Sequence, residues 1–200
     1  TLLPNRQGFS RALDDWLAIE PRGALLVFDI DQLGRINDAF GHLAGDELLA
    51  TICIRLRALL KQDDLLGRLV GGQFAVLVKQ ASDRQAMEAM TRRLIEAIAR
   101  PVTIHGSDVV SKACAGICLI PEDGQDSVTL LRNAGAAMHN AKTGGQSVYR
   151  FFAADMSAGV AERLRLESDL RLALQRNELV LHYQPQVDIA SGQIVGFESL

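Results

Sequence analysis

The stretch Ala24-Leu25-Leu26-Val27-Phe28-Asp29-Ile30-Asp31 carries the reading of the fold. Five consecutive apolar residues, a run of strand length, mark a strand buried on both faces, and the abrupt change to Asp29-Ile30-Asp31 marks where that strand reaches water. Two acids spaced two apart on a persisting pleat project to the same face. Upstream, Pro4 and Asn5 open a helix whose Phe9, Leu13, Trp16 and Leu17 recur at helical spacing until Pro21-Arg22-Gly23 breaks it. Downstream, a polar turn holding Gly34, Asn37, Gly41 and Gly45 leads into a long amphipathic helix that carries Leu48, Leu49, Ile52, Leu56, Leu59 and Leu60 and ends near Gln62. Two short strand-like pieces, residues 65–69 and 74–79, then flank Val70-Gly71-Gly72-Gln73, a hairpin signal.

The second half repeats this grammar. Ser82 or Asp83 caps a helix with Met87, Met90, Leu94, Ile95 and Ile98 on one side and Pro101 as its stop. Residues 102–105 and 109–120 read as strands around Gly106-Ser107. Ser127 caps a helix bearing Leu130, Leu131, Ala134, Met138 and Ala141 that ends at Gly144-Gly145, and residues 148–152 form a last strand. This order predicts an α+β fold, a mostly antiparallel sheet with helices packed on it. From Ala153 the pattern changes: Val160, Leu164, Leu166, Leu170 and Leu174 mark a charged amphipathic helix, and residues 179–183 and 194–200 read as strands with too little chain to enclose a core. The expected organisation is a first domain over 1–152, a linker helix over 153–177 and the start of a second domain over 178–200.

Composition excludes several function classes. A chain of 200 residues with 48% hydrophobic and 22% charged residues is an ordinary globular sequence, not a disordered one. Twenty-one Lys and Arg against twenty-four Asp and Glu give a net charge of −3, no basic field for a nucleic-acid polymer. No apolar run approaches the roughly 18 residues of a membrane span, and residues 1–6 are no signal peptide, so the expected compartment is cytoplasmic, with a longer parent free to be membrane-anchored. Cys114 and Cys118 would stand about 13 Å apart on an extended strand, beyond the roughly 7 Å limit for a disulfide. Buried, reduced thiols are expected, and Cys53 reads as a helix core residue. His42, His105, His139 and His182 show no paired spacing for zinc.

Taken alone, Asp31 and Asp38 read as turn and cap residues. Several spaced motifs in order change that reading. Residues 1–6, Asp29-Ile30-Asp31, Ile36-Asn37-Asp38, Gly41-His42, Gly45-Asp46 and residues 134–142 together resemble the GGDEF family, the diguanylate cyclases that condense two GTP into cyclic di-GMP. The resemblance covers about the first 150 residues and implies a central sheet flanked by helices, related to the palm of nucleotidyl cyclases and polymerases. Family chemistry needs two magnesium ions that activate a ribose hydroxyl and neutralise a triphosphate. Asp29 matches the first metal ligand. The signature hairpin, however, is Val70-Gly71-Gly72-Gln73-Phe74, and with Arg68 and Phe74 as anchors its two acidic positions hold Gly72 and Gln73. Neither is an anion. Gly34 replaces a phosphate lysine and Gln146 an arginine, whereas Lys142 keeps the family's other phosphate lysine.

The resemblance therefore implies no catalytic residues, a vestigial metal ligand in Asp29, and magnesium only as it accompanies a nucleotide. Asn37 and Asp46 match the guanine-binding pair, an amide and a carboxylate suited to that base edge; Asp46 also reads as a helix cap. The product-binding Arg-x-x-Asp corresponds to Lys61-Gln62-Asp63-Asp64, where lysine lacks the planar guanidinium fork. The tail resembles the start of an EAL domain, the cyclic di-GMP phosphodiesterase barrel, through Tyr183-Gln184-Pro185 and Gly196-Phe197-Glu198-Ser199-Leu200. There Glu198 matches a metal ligand and Gln184 a residue near substrate, both functional only in a complete barrel. The expected function is a non-catalytic regulatory GGDEF domain of a tandem GGDEF-EAL protein that binds GTP weakly and modulates the EAL domain. The alternatives are an input domain of an active phosphodiesterase and a residual cyclase. Expected partners are a guanine nucleotide, cyclic di-GMP through the parent's EAL domain and a second copy of the chain.

Overall fold

The computed structural model describes the chain apart from residues 1, 21, 81–82, 144–148, 157–165, 167–168, 174, 177 and 200. The chain divides into two compact units, Thr1–Ser157 and Ala158–Leu200. In the first, the apolar run becomes β1 (Gly23–Ile30), the middle strand of a five-stranded sheet. One edge is built by β2 (Leu65–Arg68) and β3 (Gln73–Val78), the other by β6 (Ala113–Ile120) and β7 (Tyr149–Phe151), in the order β2-β3-β1-β6-β7. All neighbours run antiparallel except β6 and β7, which are parallel. The α+β expectation holds.

Strand alternation sorts β1 between two cores. Leu26, Phe28 and Ile30 lie in the core built with α2 (Leu33–Phe40), α3 (His42–Leu59) and α4 (Arg84–Ala99). Leu25 and Val27 lie in the opposite core, with Phe9, Leu13, Trp16 and Leu17 of α1 (Arg6–Leu17) and Leu130, Ala134 and Met138 of α5 (Ser127–Thr143). Asn5 caps α1 by accepting from the Gly8 amide, and Asp83 caps α4 by accepting from Ala86. The hairpin of β4 (Val102–Ile104) and β5 (Ser107–Val109) stands apart from the main sheet.

Several local expectations are corrected. The stretch read as a polar turn is the helix α2, and Gly45 lies inside α3. A Cβ on Gly45 would fall 1.9 Å from Asn37 Oδ1, so glycine there is what allows the two helices to meet. The strand read over 109–120 is two strands, interrupted where buried Ser111 donates its hydroxyl to the Ile98 carbonyl at the end of α4. Asp126, not Ser127, caps α5, accepting from the Thr129 amide at 2.8 Å. Ser127 instead anchors the helix to α1: Asp14 accepts from its amide at 2.8 Å and its hydroxyl at 2.7 Å. The expected Ser82 cap, the helix end at Gly144-Gly145 and most of the helix expected over 153–177 lie outside the described residues.

In the second unit β8 (Tyr183–Val187) and β9 (Ile194–Ser199) form an antiparallel pair. Its first strand begins at Tyr183, where the sequence reading ended one, and Leu179, Val180 and Leu181 are exposed.

Helix and sheet approach closely at Gly116 of β6, where a Cβ would lie 2.0 Å from the Ala134 carbonyl oxygen and 2.3 Å from the Met138 amide nitrogen. Both are backbone atoms of α5, so the helix itself would have to move. Gly116→Ala is expected to destabilise the domain by about 3 kcal/mol, read as a lower urea midpoint with an unchanged m-value.

Candidate functional site

The site forms where β1 surfaces. The ladder persists to Asp31, whose amide donates to the Lys112 carbonyl at 2.8 Å, so Asp29 and Asp31 continue the face of Leu25 and Val27 toward α5. α5 starts at its Asp14 anchor and runs along that face past Gly116. Sixteen residues of helix span about 24 Å, enough to bring Lys142 from that anchor to the end of β1. Lys142 Nζ lies 2.6 Å from Asp29 Oδ2 and 2.9 Å from Asp31 Oδ1, with side chains 43%, 21% and 26% exposed respectively. Hydrogen bonds to Asp29 and then Asp31 hold the Lys142 ammonium above its ordinary range.

Register identifies the neighbours. Asp29 stands directly opposite Gln73 on β3 and Cys114 on β6, which sets a carboxylate between an amide and a thiol on one row. Burial, followed by the Asp31 charge, pushes the Cys114 thiol up, so it supplies no anion at neutral pH. Gly72 is close by, accepting from the Ile30 amide at 3.1 Å. The hairpin tip is closed by Gln73 N–H donating to the Val70 carbonyl at 2.9 Å and by Arg68 Nε donating to the Gly71 carbonyl at 3.1 Å. Phe74 is fully buried and points the other way, into the core with Phe28. Arg68 also reaches Asp46 on α3 at 3.9 Å, a link between hairpin and helix that sequence reading missed because Arg68 served there only as an alignment anchor.

Asn37, on α2, is half-buried and its Oδ1 has no hydrogen-bond partner. Asp46 is open, its side chain 69% exposed. Gly34 lies on α2 with open space around it, and Gln146 lies outside the described residues. The structure thus joins Asp29, Asp31 and Lys142 into one cluster and ties Asp46 to the hairpin. In the second unit the register sets Gln184 directly opposite Glu198, both exposed.

These residues do not fit a pair of divalent cations. Such ions are held by convergent oxygen anions, and here the hairpin contributes a glycine and a neutral amide while an ammonium already engages both aspartates. Among the described residues no group of three or more His, Cys, Asp and Glu is arranged to hold a metal. No helix among them is long and apolar enough to cross a membrane. Cys53, Cys114 and Cys118 are free thiols.

The segment Lys61–Asp64 is a structural loop. Buried Asp64 accepts from the Lys61 amide at 2.9 Å and the Lys79 amide at 3.2 Å, while the Arg57 guanidinium donates to the carbonyls of Lys61, Gln62 and Asp64. Its carboxylate is therefore already engaged inside the fold.

A mostly antiparallel sheet with helices on both faces, and a glycine hairpin lying across from strand-end carboxylates, defines an α+β domain of the palm-like class with its site at the end of the central strand. The chain belongs to the GGDEF family: the family described as "Diguanylate cyclase, GGDEF domain" matches it over residues 1–148. It is 38% identical over 204 positions to the bifunctional diguanylate cyclase/cyclic di-GMP phosphodiesterase MucR of Pseudomonas aeruginosa, an alignment covering 100% of this chain and 30% of that protein. It is 35% identical over 202 positions to the cyclic di-GMP phosphodiesterase PdeR of Escherichia coli, covering 100% of this chain and 30% of PdeR. The chain therefore spans about a third of the length of these curated relatives. Among solved structures, the GGDEF domain of YfiN (TpbB) from Pseudomonas aeruginosa superposes with a TM-score of 0.75 at 31% identity, covering 80% of this chain and 95% of that one.

Removing the Asp64 carboxylate leaves two part-buried amides, those of Lys61 and Lys79, without this acceptor. Asp64→Ala is expected to cost about 1–3 kcal/mol, measured by chemical denaturation, with Asp64→Asn closer to the unaltered chain because it keeps one acceptor.

Proposed function

We propose that this GGDEF domain is a non-catalytic regulatory module of a cyclic di-GMP signalling protein, which binds guanine nucleotide weakly and modulates a phosphodiesterase domain of the same polypeptide. The observation that carries the reading is the row at the end of β1, where Gln73 faces Asp29 and, among the described residues, the charge meeting the two aspartates is the Lys142 ammonium. Phosphoryl transfer in this class depends on cation-assisted charge neutralisation, and two glycines with a glutamine supply no anion for it. Each 1.36 kcal/mol of lost transition-state stabilisation is tenfold in rate, so a cluster short of its hairpin carboxylates falls far below useful turnover.

Nucleotide binding is supported by different residues. The Asn37 amide, unpartnered at Oδ1, and the open Asp46 carboxylate have the donor and acceptor types that a guanine edge requires. Magnesium in this reading arrives on the phosphates of the nucleotide, and Asp29 is a relic ligand. A second copy of the chain and cyclic di-GMP, the latter through the adjoining domain, complete the proposed partners, with the cytoplasm as the proposed compartment. The division into a regulatory domain over 1–152, a linker helix over 153–177 and an EAL start over 178–200 belongs to the same proposal.

A second reading, that the parent is itself an active phosphodiesterase for which this domain is the input, is favoured by one feature of the second unit. Gln184 and Glu198 face each other across the β8–β9 ladder, a carboxylate and an amide on one face suited to a metal and an adjacent substrate once a barrel surrounds them.

Incubated with GTP and magnesium, the purified chain is expected to form no cyclic di-GMP above the level of an Asp29→Ala control, as read by chromatography; product above that level refutes the proposal. Titration calorimetry with GTP is expected to give a Kd of roughly 0.1–1 mM, about 4–5.5 kcal/mol. Asp46→Ala should remove that heat, and a flat titration of the unaltered chain would leave a domain that regulates without nucleotide.

A further inference from the structure

We propose that Lys142 is the resident cation of this site: its ammonium takes the position between Asp29 and Asp31 that a divalent ion would otherwise occupy, and so makes the site metal-independent. The inference deepens the non-catalytic reading above by naming what fills the cation position. It is tested with a bare metal ion, so a failure of nucleotide to bind leaves it intact.

The argument is one of charge and reach. Asp29 and Asp31 emerge two residues apart on one face of β1, and repulsion between them must be met. Lys142 Nζ meets both, at 2.6 and 2.9 Å, and the carboxylates are only 21% and 26% exposed, so water and salt screen the contact incompletely. The ammonium has a fixed origin. α5 is pinned at one end by Asp14 on Ser127 and pressed onto β6 over Gly116, so Lys142 is delivered to the carboxylates by the helix itself rather than by a free side-chain search.

The other neighbours agree with a single positive charge. Gln73 opposite Asp29 is neutral, Cys114 on the other side is a free cysteine, and Gly72 contributes no side chain. A glutamate at position 73 would make three carboxylates against one ammonium and leave a net demand for a further cation. With glutamine the count is two against one, a deficit that solvent at the half-open rim can meet.

The same geometry assigns Lys142 a cost in any other role. A phosphate can recruit this ammonium only by drawing it off Asp29 and Asp31, which would leave both aspartates without their counter-charge. Lys142 is thus a positioning and charge-balancing residue rather than a free phosphate-binding arm.

The test uses Mn²⁺ as the probe, followed by the loss of its free-ion electron paramagnetic resonance signal on titration with the whole chain. The unaltered chain is expected to bind no Mn²⁺ up to about 1 mM beyond an Asp29→Asn, Asp31→Asn control. Lys142→Met, which keeps an unbranched apolar stem and removes the charge, is expected to gain a Mn²⁺ site at least about tenfold tighter than any in the unaltered chain. That gain should vanish when Asp29→Asn is added. Mn²⁺ should raise the melting temperature of Lys142→Met and leave that of the unaltered chain where it was. Gln73→Glu, at the half-exposed hairpin tip, keeps the lysine and adds the third carboxylate; it is expected to gain Mn²⁺ binding too, and it carries the test if Lys142→Met does not fold. Mn²⁺ binding by the unaltered chain that depends on Asp29 overturns the proposal, as does a folded Lys142→Met that binds none. If only Gln73→Glu folds, its failure to bind overturns the proposal.

Discussion

Two carboxylates leaving the central strand on one face impose a requirement on everything around them: positive charge must arrive at the end of β1 and stay there. In this chain it arrives from 113 residues away in sequence, through a helix whose start is bonded to α1 and whose middle passes over a glycine. The requirement explains features that otherwise look unrelated. Asp14 and Ser127 fix the start of α5, Gly116 fixes its distance from the sheet, and the helix length fixes where Lys142 ends. Electrostatics at the site are thereby inherited from packing on the α1 and α5 face.

A similar economy holds the remaining helix ends and sheet edges. Arg55 of α3 donates to the carbonyls of Ala97, Arg100 and Pro101, closing the C-terminal end of α4 where backbone acceptors run out of partners. Arg57 does the same for the loop after α3. The edge strand β7 is faced by α4 through Arg84 stacked 3.9 Å from the Phe151 ring centre, Arg92 at 5.2 Å from that of Tyr149, and Glu88, which accepts from the Tyr149 hydroxyl. These contacts use long charged side chains to satisfy backbone or rings, so many arginines of the first unit are committed to the fold. That is a physical reason for Arg57 and Asp64 to act as loop constituents even though their sequence neighbourhood aligns with a ligand site.

Much of the fold was legible because it rests on short-range patterns. The β1 run, the leucine spacing of α3 and the glycine-bearing hairpin each declare themselves within a few residues. α2 was missed because Gly34, Asn37, Gly41 and Gly45 carry the composition of a turn, while Gly45 in fact serves helix packing against Asn37. The strand break at Ser111 was equally hidden, since it answers to a carbonyl on α4, thirteen residues away. At the site, the shared face of Asp29 and Asp31 followed from strand periodicity alone. That Gln73 and Cys114 flank Asp29 depends on register between strands, which no local pattern encodes, and the meeting with Lys142 depends on the tilt and depth of α5.

The neutral hairpin tip and the presence of Lys142 between the aspartates bear on each other. A row holding Asp29, Asp31 and a further carboxylate from β3 would be poorly tolerated without metal, because like charges at cross-strand distance are destabilising. Such a domain would have its local stability coupled to the supply of divalent ions by mass action. With Gln73 and Gly72 at the tip, the row sets two carboxylates against the Lys142 ammonium, which lowers its demand for outside cations. Gly72 and Gln73 at the tip and Lys142 at the end of α5 thus act on one quantity, the negative charge that the end of β1 leaves to be met.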